Sequence, residues 1–69
     1  MIVINSNLLK GKIVENGLSL KEFSERTGIK KTALYRKLSG ISEFNRKEIE
    51  IIAIELNLNK EQICNIFFY

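Results

Sequence analysis

The stretch LSLKEFSERTGIKKTALYRKLSGISEF, residues 18–44, decides the fold. It contains two short helical patterns, separated by a tight turn at Gly28. Phe23 is the apolar core residue of the first pattern, and Leu34 is that of the second. Ile29 precedes the second pattern at the spacing of a hydrophobic staple with Leu34. Two short helices joined by a tight glycine turn are the sequence form of a helix-turn-helix.

Residues that typically begin and end helices recur along the whole chain. Helix starts carry a polar N-cap, and three of them have Glu or Gln three residues further on, as in a capping box. The N-caps are Asn5, Ser19, Asn45 and Asn59. Helix ends carry Gly or Asn where a left-handed residue is wanted. These ends are Asn16-Gly17, Gly28, Gly40 and Asn57. The signals predict an all-α, compact domain of five helices, at about 6–16, 20–27, 31–39, 46–56 and 60–67.

Length and charge narrow the class of partner. The 69 residues fit one small domain, residues 1–69. The net charge is +3, but it is unevenly spread. Residues 1–40 carry eight Lys or Arg and three Glu, which gives +5, whereas residues 41–69 carry three and five, which gives −2. The basic half therefore indicates an acidic or phosphate-bearing partner.

The residue inventory argues against catalysis and ion binding. The sequence has no His and no Asp, which removes the usual triads, histidine bases and common zinc and calcium sites. No Gly-rich phosphate loop is present. We therefore expect no enzyme activity, no cofactor, no metal and no small-molecule ligand.

The same inventory indicates a cytoplasmic protein. The opening MIVIN is too short for a signal peptide, and no apolar run is long enough to span a membrane. The lone Cys64 cannot form an internal disulfide, which favours a reducing compartment. Its neighbours Ile63 and Ile66 suggest that it is a core thiol and not a reactive one.

Residues 18–44 resemble the DNA-binding unit of the phage lambda-type repressor and Cro family, a large group of compact five-helix regulators common in bacteria and their phages. The resemblance extends over nearly the whole chain, from Leu9 to Phe67. The matching features are Leu18-Ser19, Phe23, Gly28-Ile29, Leu34, Ser39-Gly40 and the helix after Phe44. The resemblance implies a lambda-repressor-like fold in the bacterial cytoplasm, with helix 31–39 in the major groove of an operator.

Three positions depart from the family pattern. The second helix often opens with a Gln that helps to clamp a phosphate, and Leu20 occupies that position here. A small Ala usually stands where this chain has Ser24, a change that helix packing should tolerate. The third helix usually has Ser or Thr as its N-cap, and this one has Lys30. A cation there gives up about 1 kcal/mol of cap stabilisation and opposes the helix dipole, which is expected where function overrides local stability.

Helical spacing puts Leu34 and Leu38 on the buried side of the third helix. The resemblance then places base contacts on the opposite side, where Lys or Arg could bond guanine and Thr could touch a thymine methyl. These base-contact candidates are Lys31, Thr32, Tyr35 and Arg36. The phosphate-contact candidates are Ser19, Lys21, Lys30, Lys37 and Ser39, and Arg46 is a weaker one because it could pair with Glu43 or Glu50. The alternative is an ordinary solvated face, with Ser19 acting only as a cap.

The fourth helix has more apolar residues than one core face needs. Ile49, Ile52 and Leu56 follow the helical period, whereas Ile51 and Ile54 point roughly the opposite way. These two residues either pack under the fifth helix or the N-terminal MIVI segment, or form an exposed patch for a homodimer. The dimer-interface candidates are Ile51, Ile54, Phe68 and Tyr69. A two-fold dimer would read two half-sites about 34 Å apart.

These observations favour a sequence-specific transcriptional regulator, of the phage or prophage repressor or Cro type, that occupies double-stranded operator DNA. One alternative is a protein-interaction module on the same scaffold, similar to an antirepressor, whose third helix contacts protein. Another is an antitoxin that binds its operator and a toxin together. A steep fall of DNA affinity with salt would favour DNA as the partner over protein, and neighbouring genes would identify an antitoxin.

Overall fold

A computed structural model describes residues 4–67 of the chain, and within that range it contains five α-helices and no strand. The helices are α1 (Ser6–Glu15), α2 (Leu20–Thr27), α3 (Lys31–Leu38), α4 (Arg46–Glu55) and α5 (Lys60–Phe67). The predicted all-α architecture is confirmed over this range, and every helix boundary lies within one residue of its expected position. None of these five helices is long and apolar enough to cross a membrane.

The helix starts are fixed by the caps that the sequence indicates. At α2, α4 and α5 the N-cap side chain accepts a hydrogen bond from the backbone N–H three residues on. The side chain of that residue accepts one in return, and all of these bonds measure 2.8–3.1 Å. The pairs are Ser19 and Glu22, Asn45 and Glu48, and Asn59 and Gln62. Asn5 caps α1 by accepting from the N–H of Leu8 at 3.1 Å. At α3, Lys30 makes no side-chain cap bond.

The helix ends follow the glycine and asparagine signals. Among residues 4–67, four adopt a left-handed conformation, with φ between 53° and 81°. They are Gly17, Gly28, Gly40 and Asn57. After α3, the N–H of Gly40 donates to the carbonyl of Lys37 at 3.2 Å, and that of Ile41 donates to Arg36 at 3.0 Å. This pair of bonds is a Schellman motif, which satisfies carbonyls that the helix end leaves open.

The core draws on all five helices. Its fully buried side chains are Leu9, Ile13, Phe23, Leu34, Ile52, Ile66 and Phe67. The rings of Phe44 and Phe67 meet edge to face, with centroids 5.6 Å apart. The segment before α1 is tied to α5 because the N–H of Asn5 donates to the carbonyl of Ile66 at 2.7 Å, and Ile4 packs against the core.

One core prediction is wrong. Cys64 is exposed, although it lies among apolar neighbours in sequence. The buried residues of α5 are Ile66 and Phe67. At about 100° per residue, Cys64 points roughly 110° away from the centre of the stripe that these two residues form. Sequence neighbours on a helix do not share a face, so proximity in the chain was a poor guide to burial.

Candidate nucleic-acid interface

The turn between α2 and α3 is held by buried polar groups. The Thr27 hydroxyl is buried, donates to the carbonyl of Phe23 at 2.9 Å and accepts from the N–H of Ile29 at 3.3 Å. Gly28 has φ 76°, and its N–H donates to the carbonyl of Ser24 at 3.0 Å. These bonds satisfy the N–H groups of Gly28 and Ile29 and restrain the path of the chain from α2 into α3.

One side of α3 is committed to the core. Leu34 and Leu38 are buried, and Ala33 is partly buried against the same cluster. The Ser6 hydroxyl at the start of α1 donates to the carbonyl of Leu38. These contacts leave the opposite side of α3 facing solvent.

The four expected base-contact residues, Lys31, Thr32, Tyr35 and Arg36, are all exposed on α3. Tyr35 is 46% exposed, and the ammonium of Lys31 lies 5.9 Å from its ring centroid. A cation at this distance from an aromatic face is attracted by the ring. The outward side of α3 therefore combines three cationic or hydrogen-bonding side chains with one aromatic ring, and no acidic residue belongs to α3.

Most of the expected phosphate-contact residues are exposed, whereas Lys37 is not. Ser19, Lys21, Lys30 and Ser39 are exposed, although the hydroxyl of Ser19 is already used as the α2 cap. Leu20, at the position where the family often has Gln, is partly buried against the core. Arg46 lies 3.8 Å from Glu50, one of the two partners considered for it.

Lys37 differs from the other expected phosphate contacts. Its Nζ donates to Oε2 of Glu48, and both side chains are only 16% exposed. The same ammonium lies 5.8 Å from the ring centroid of Phe44. Its charge is therefore engaged inside the protein and is not available on the outward side of α3. Sequence reasoning missed Glu48 because it lies on another helix, and no local spacing rule connects the two positions.

The charge near α2 is shaped by its capping box. The hydrogen bond from the Ser19 backbone N–H lowers the pKa of Glu22 below its usual range, and the Ser19 hydroxyl and nearby Arg26 act in the same direction. Glu22 is therefore ionised at neutral pH, with its carboxylate bonded back to the helix start. Arg26 is exposed in the last turn of α2 and adds a cation that the sequence analysis did not single out.

Exposed aliphatic residues occur in the described chain outside α3. Ile54 on α4 is 78% exposed, and Ile51 is half-buried, so α5 does not cover Ile54. Residues 1–3 of the MIVI segment, the other cover considered, lie outside the residues that the structure describes. Phe68 and Tyr69, the other dimer candidates, lie outside the residues that the structure describes. Two further exposed apolar residues, Val14 on α1 and Ile41 after α3, were not anticipated.

The chain matches no protein-family model, and comparisons with curated proteins and with solved structures gave no match. Its function is therefore argued from the chemistry and placement of its own side chains.

Proposed function

We propose that this chain is a sequence-specific DNA-binding transcriptional regulator in which α2, the turn and α3 form a helix-turn-helix of the lambda repressor and Cro type. The observation that carries the proposal is the set of side chains exposed on the outward side of α3. Lys31, Thr32, Tyr35 and Arg36 are exposed there, no acidic residue belongs to the helix, and the turn before it is held by buried bonds.

The start of α3 supports a phosphate-bearing partner. Lys30 and Lys31 are exposed at a helix end that has no side-chain cap. A helix start carries partial positive charge, so two ammonium groups there are mildly unfavourable in the free protein. A DNA phosphate at this position would be attracted by both ammonium groups, by the dipole and by the open N–H groups together.

The chemistry of the exposed side chains suits the major groove. Arg36 and Lys31 can donate to O6 and N7 of guanine, and Thr32 can bond a base edge or touch a thymine methyl. Tyr35 can pack on a sugar or a methyl group and donate its hydroxyl to a phosphate. Lys21, Lys30 and Ser39 would then contact the backbone and set the register of α3 on the duplex.

The proposed regulator acts in the bacterial cytoplasm as a homodimer, at least on DNA. A single short helix reads few bases, whereas two copies related by a two-fold axis read two half-sites about 34 Å apart. The exposed Ile54 and half-buried Ile51 on α4 supply an apolar surface outside α3. Burial of such a patch against a second copy removes apolar surface from water.

Selection of binding sites from random DNA is the decisive experiment for this proposal. A regulator should yield a motif, and its affinity should fall with salt with a log–log slope of about −0.9 for each phosphate neutralised. If no motif is recovered, the operator-binding proposal is wrong, and a protein-interaction module, in which α3 contacts a protein, becomes the better account.

Arg36→Ala tests the proposed base readout directly. The substitution should cost about 1–3 kcal/mol of binding free energy and relax the preference at one position of the motif. Lys60→Ala, on α5, removes the same charge outside the proposed surface and should leave the motif unchanged. An Arg36→Ala protein that selects the same motif as the wild type would remove Arg36 from the proposed base contacts.

A further inference from the structure

Lys37 and Glu48 join the last turn of α3 to the first turn of α4. The ammonium donates to Oε2 of Glu48, and with both side chains 16% exposed the pair is largely shielded from water. The Lys37 ammonium also lies against the buried ring of Phe44, 5.8 Å from its centroid. Lys37 is thereby held away from the outward side of α3, although it directly follows Arg36 in the chain.

Glu48 is fixed from its other side by the α4 cap. Its Oε1 accepts from the N–H of Asn45 at 2.9 Å, and its own N–H donates to Oδ1 of Asn45 at 2.8 Å. The carboxylate therefore has little freedom to follow a moving lysine. The connection from α3 to α4 begins after Lys37, whose carbonyl accepts from the N–H of Gly40 at 3.2 Å. It ends at the start of α4, where Glu48 lies. The ion pair between Lys37 and Glu48 therefore ties the two ends of this connection together.

A phosphate role for Lys37 conflicts with this arrangement. A lysine that turned to DNA would leave the Glu48 carboxylate shielded from water without its cation, which is costly. The abandoned carboxylate would also lie near the approaching phosphate and repel it. The intact ion pair instead provides a fixed contact between α3 and α4.

We infer that Lys37 is a positioning residue, which through its ion pair with Glu48 fixes the rotation of α3 about its axis and so aims Thr32, Tyr35 and Arg36 at the base edges. This role rests on the proposed DNA-binding function. A rotation of about 10° moves a group ~6 Å from the helix axis by about 1 Å. That displacement is enough to weaken a hydrogen bond to a base, whereas it changes long-range attraction to phosphates little.

The test uses Glu48→Gln, Lys37→Met and the double variant. Gln keeps the α4 cap, because Gln62 serves at the equivalent position of α5, with its Oε1 2.9 Å from the N–H of Asn59. Met keeps an unbranched apolar stem beside Phe44. Glu22→Gln is the matched control, since Glu22 caps α2 in the same way but is not bonded to a lysine.

Each variant is measured on the selected DNA motif and on random DNA over a range of salt. We expect Glu48→Gln, Lys37→Met and the double variant to lower the preference for the motif over random DNA alike, by about 5- to 10-fold, because coupled residues act together. The salt slope should stay at its wild-type value, and Glu22→Gln should retain the wild-type preference.

The opposite pattern would overturn the inference. If Lys37 contacts a phosphate, Lys37→Met should lower the salt slope by about 0.9 and weaken binding to all sequences equally. Glu48→Gln should then bind all DNA more tightly than Glu22→Gln does, because it frees the lysine.

A measurement without DNA separates this inference from the proposed function. Amide hydrogen exchange at Gly40 and Ile41 should become about 5- to 10-fold faster in Glu48→Gln and Lys37→Met, and not in Glu22→Gln, because the ion pair holds that connection closed. Unchanged exchange would overturn the positioning role, even for a protein that selects a motif. If the wild type selects no motif, the proposed function and the aiming of α3 at bases both fail, and the exchange data show separately whether the pair restrains α3.

Discussion

At the scale of the residue, Lys30 occupies a position where its chemistry works against the helix it begins. It is the N-cap of α3, with φ −58° and ψ 141°, and its side chain makes no bond to the helix. The starts of α1, α2, α4 and α5 use Asn or Ser, whose side chains accept a backbone N–H. Such a cap contributes about 1 kcal/mol, so α3 gives up a stabilisation that the rest of the described chain keeps.

Lys30→Ser should therefore make the protein more stable and a weaker DNA binder. The new hydroxyl can accept a backbone N–H, which should raise the free energy of unfolding by about 1 kcal/mol in urea denaturation. The lost ammonium should lower DNA affinity and reduce the salt slope by about 0.9.

Lys60→Ser is the matched control for this change. Lys60 is the first residue of α5, behind the intact cap of Asn59, so the substitution removes the same charge without supplying a cap. We expect neither the gain in stability nor the loss of affinity. If Lys30→Ser binds DNA as tightly as the wild type, Lys30 is merely a poorly capped surface position.

At the scale of the element, two glycines should respond to the same substitution with opposite signs. Gly11 lies inside α1, and Gly28 ends α2 with φ +76°; an added Cβ meets no atom within 4 Å at either position. The sign of the stability change at each position is then set by whether alanine favours the backbone conformation found there. Gly11→Ala should stabilise the protein by roughly 0.5–1 kcal/mol, whereas Gly28→Ala should destabilise it by roughly 1–2 kcal/mol. Urea denaturation measures both changes. A Gly28→Ala protein as stable as the wild type would contradict the left-handed conformation at Gly28.

The α2 cap should make stability depend on pH in the acid range. Because the pKa of Glu22 is lowered on folding, chiefly by the Ser19 backbone hydrogen bond, its contribution is present above the unfolded pKa and is lost as the pH falls through the folded one. Wild-type Tm should therefore begin to drop as the pH falls below about 5, and Glu22→Gln should flatten part of that drop. Identical pH profiles for the two proteins would show that the carboxylate does not support the cap.

What could be predicted from the sequence follows from the range of the interactions. Caps join residues three positions apart and C-caps need only a left-handed residue, so the helix starts at Ser19 and Asn45 and the end at Gly28 were predicted correctly. The partner of Lys37 was missed because Glu48 lies eleven residues away, in a pairing that only the tertiary fold creates. The helical period of the apolar residues predicts which side of α3 is exposed. Whether a cation on α3 is free to bind a partner depends on ion pairs with residues distant in the sequence, which the period does not reveal.

At the scale of the whole molecule, two surfaces of different character belong to different helices. The outward side of α3 is cationic, whereas α4 carries the apolar Ile54 beside the acidic Glu50 and Glu55. The excess of apolar residues on α4 was visible in the sequence. The period alone left open whether they were covered, because that depends on where α5 and the chain start lie. Ile54 is exposed, as the second alternative, the proposed surface for another copy, requires.

Ile54→Lys should therefore separate dimerisation from DNA contact. We expect the wild type to sediment as a dimer at high concentration, or when operator DNA is present, and Ile54→Lys to sediment as a monomer, because a charge in the buried centre of an interface is strongly unfavourable. Its affinity for a two-half-site operator should fall about tenfold or more, while its affinity for a single half-site should stay close to the wild-type value.

Val14→Lys provides the control for added surface charge. Val14 is 72% exposed on α1, similar to Ile54, so the same substitution there changes net charge and surface polarity equally but leaves α4 intact. It should keep both the dimer and the two-half-site affinity. A wild-type protein that remains a monomer at high concentration, with or without operator, would remove the dimer. If the site-selection experiment still recovered a motif in that case, the regulator would have to read its operator as a single copy, with α3 supplying the base contacts alone.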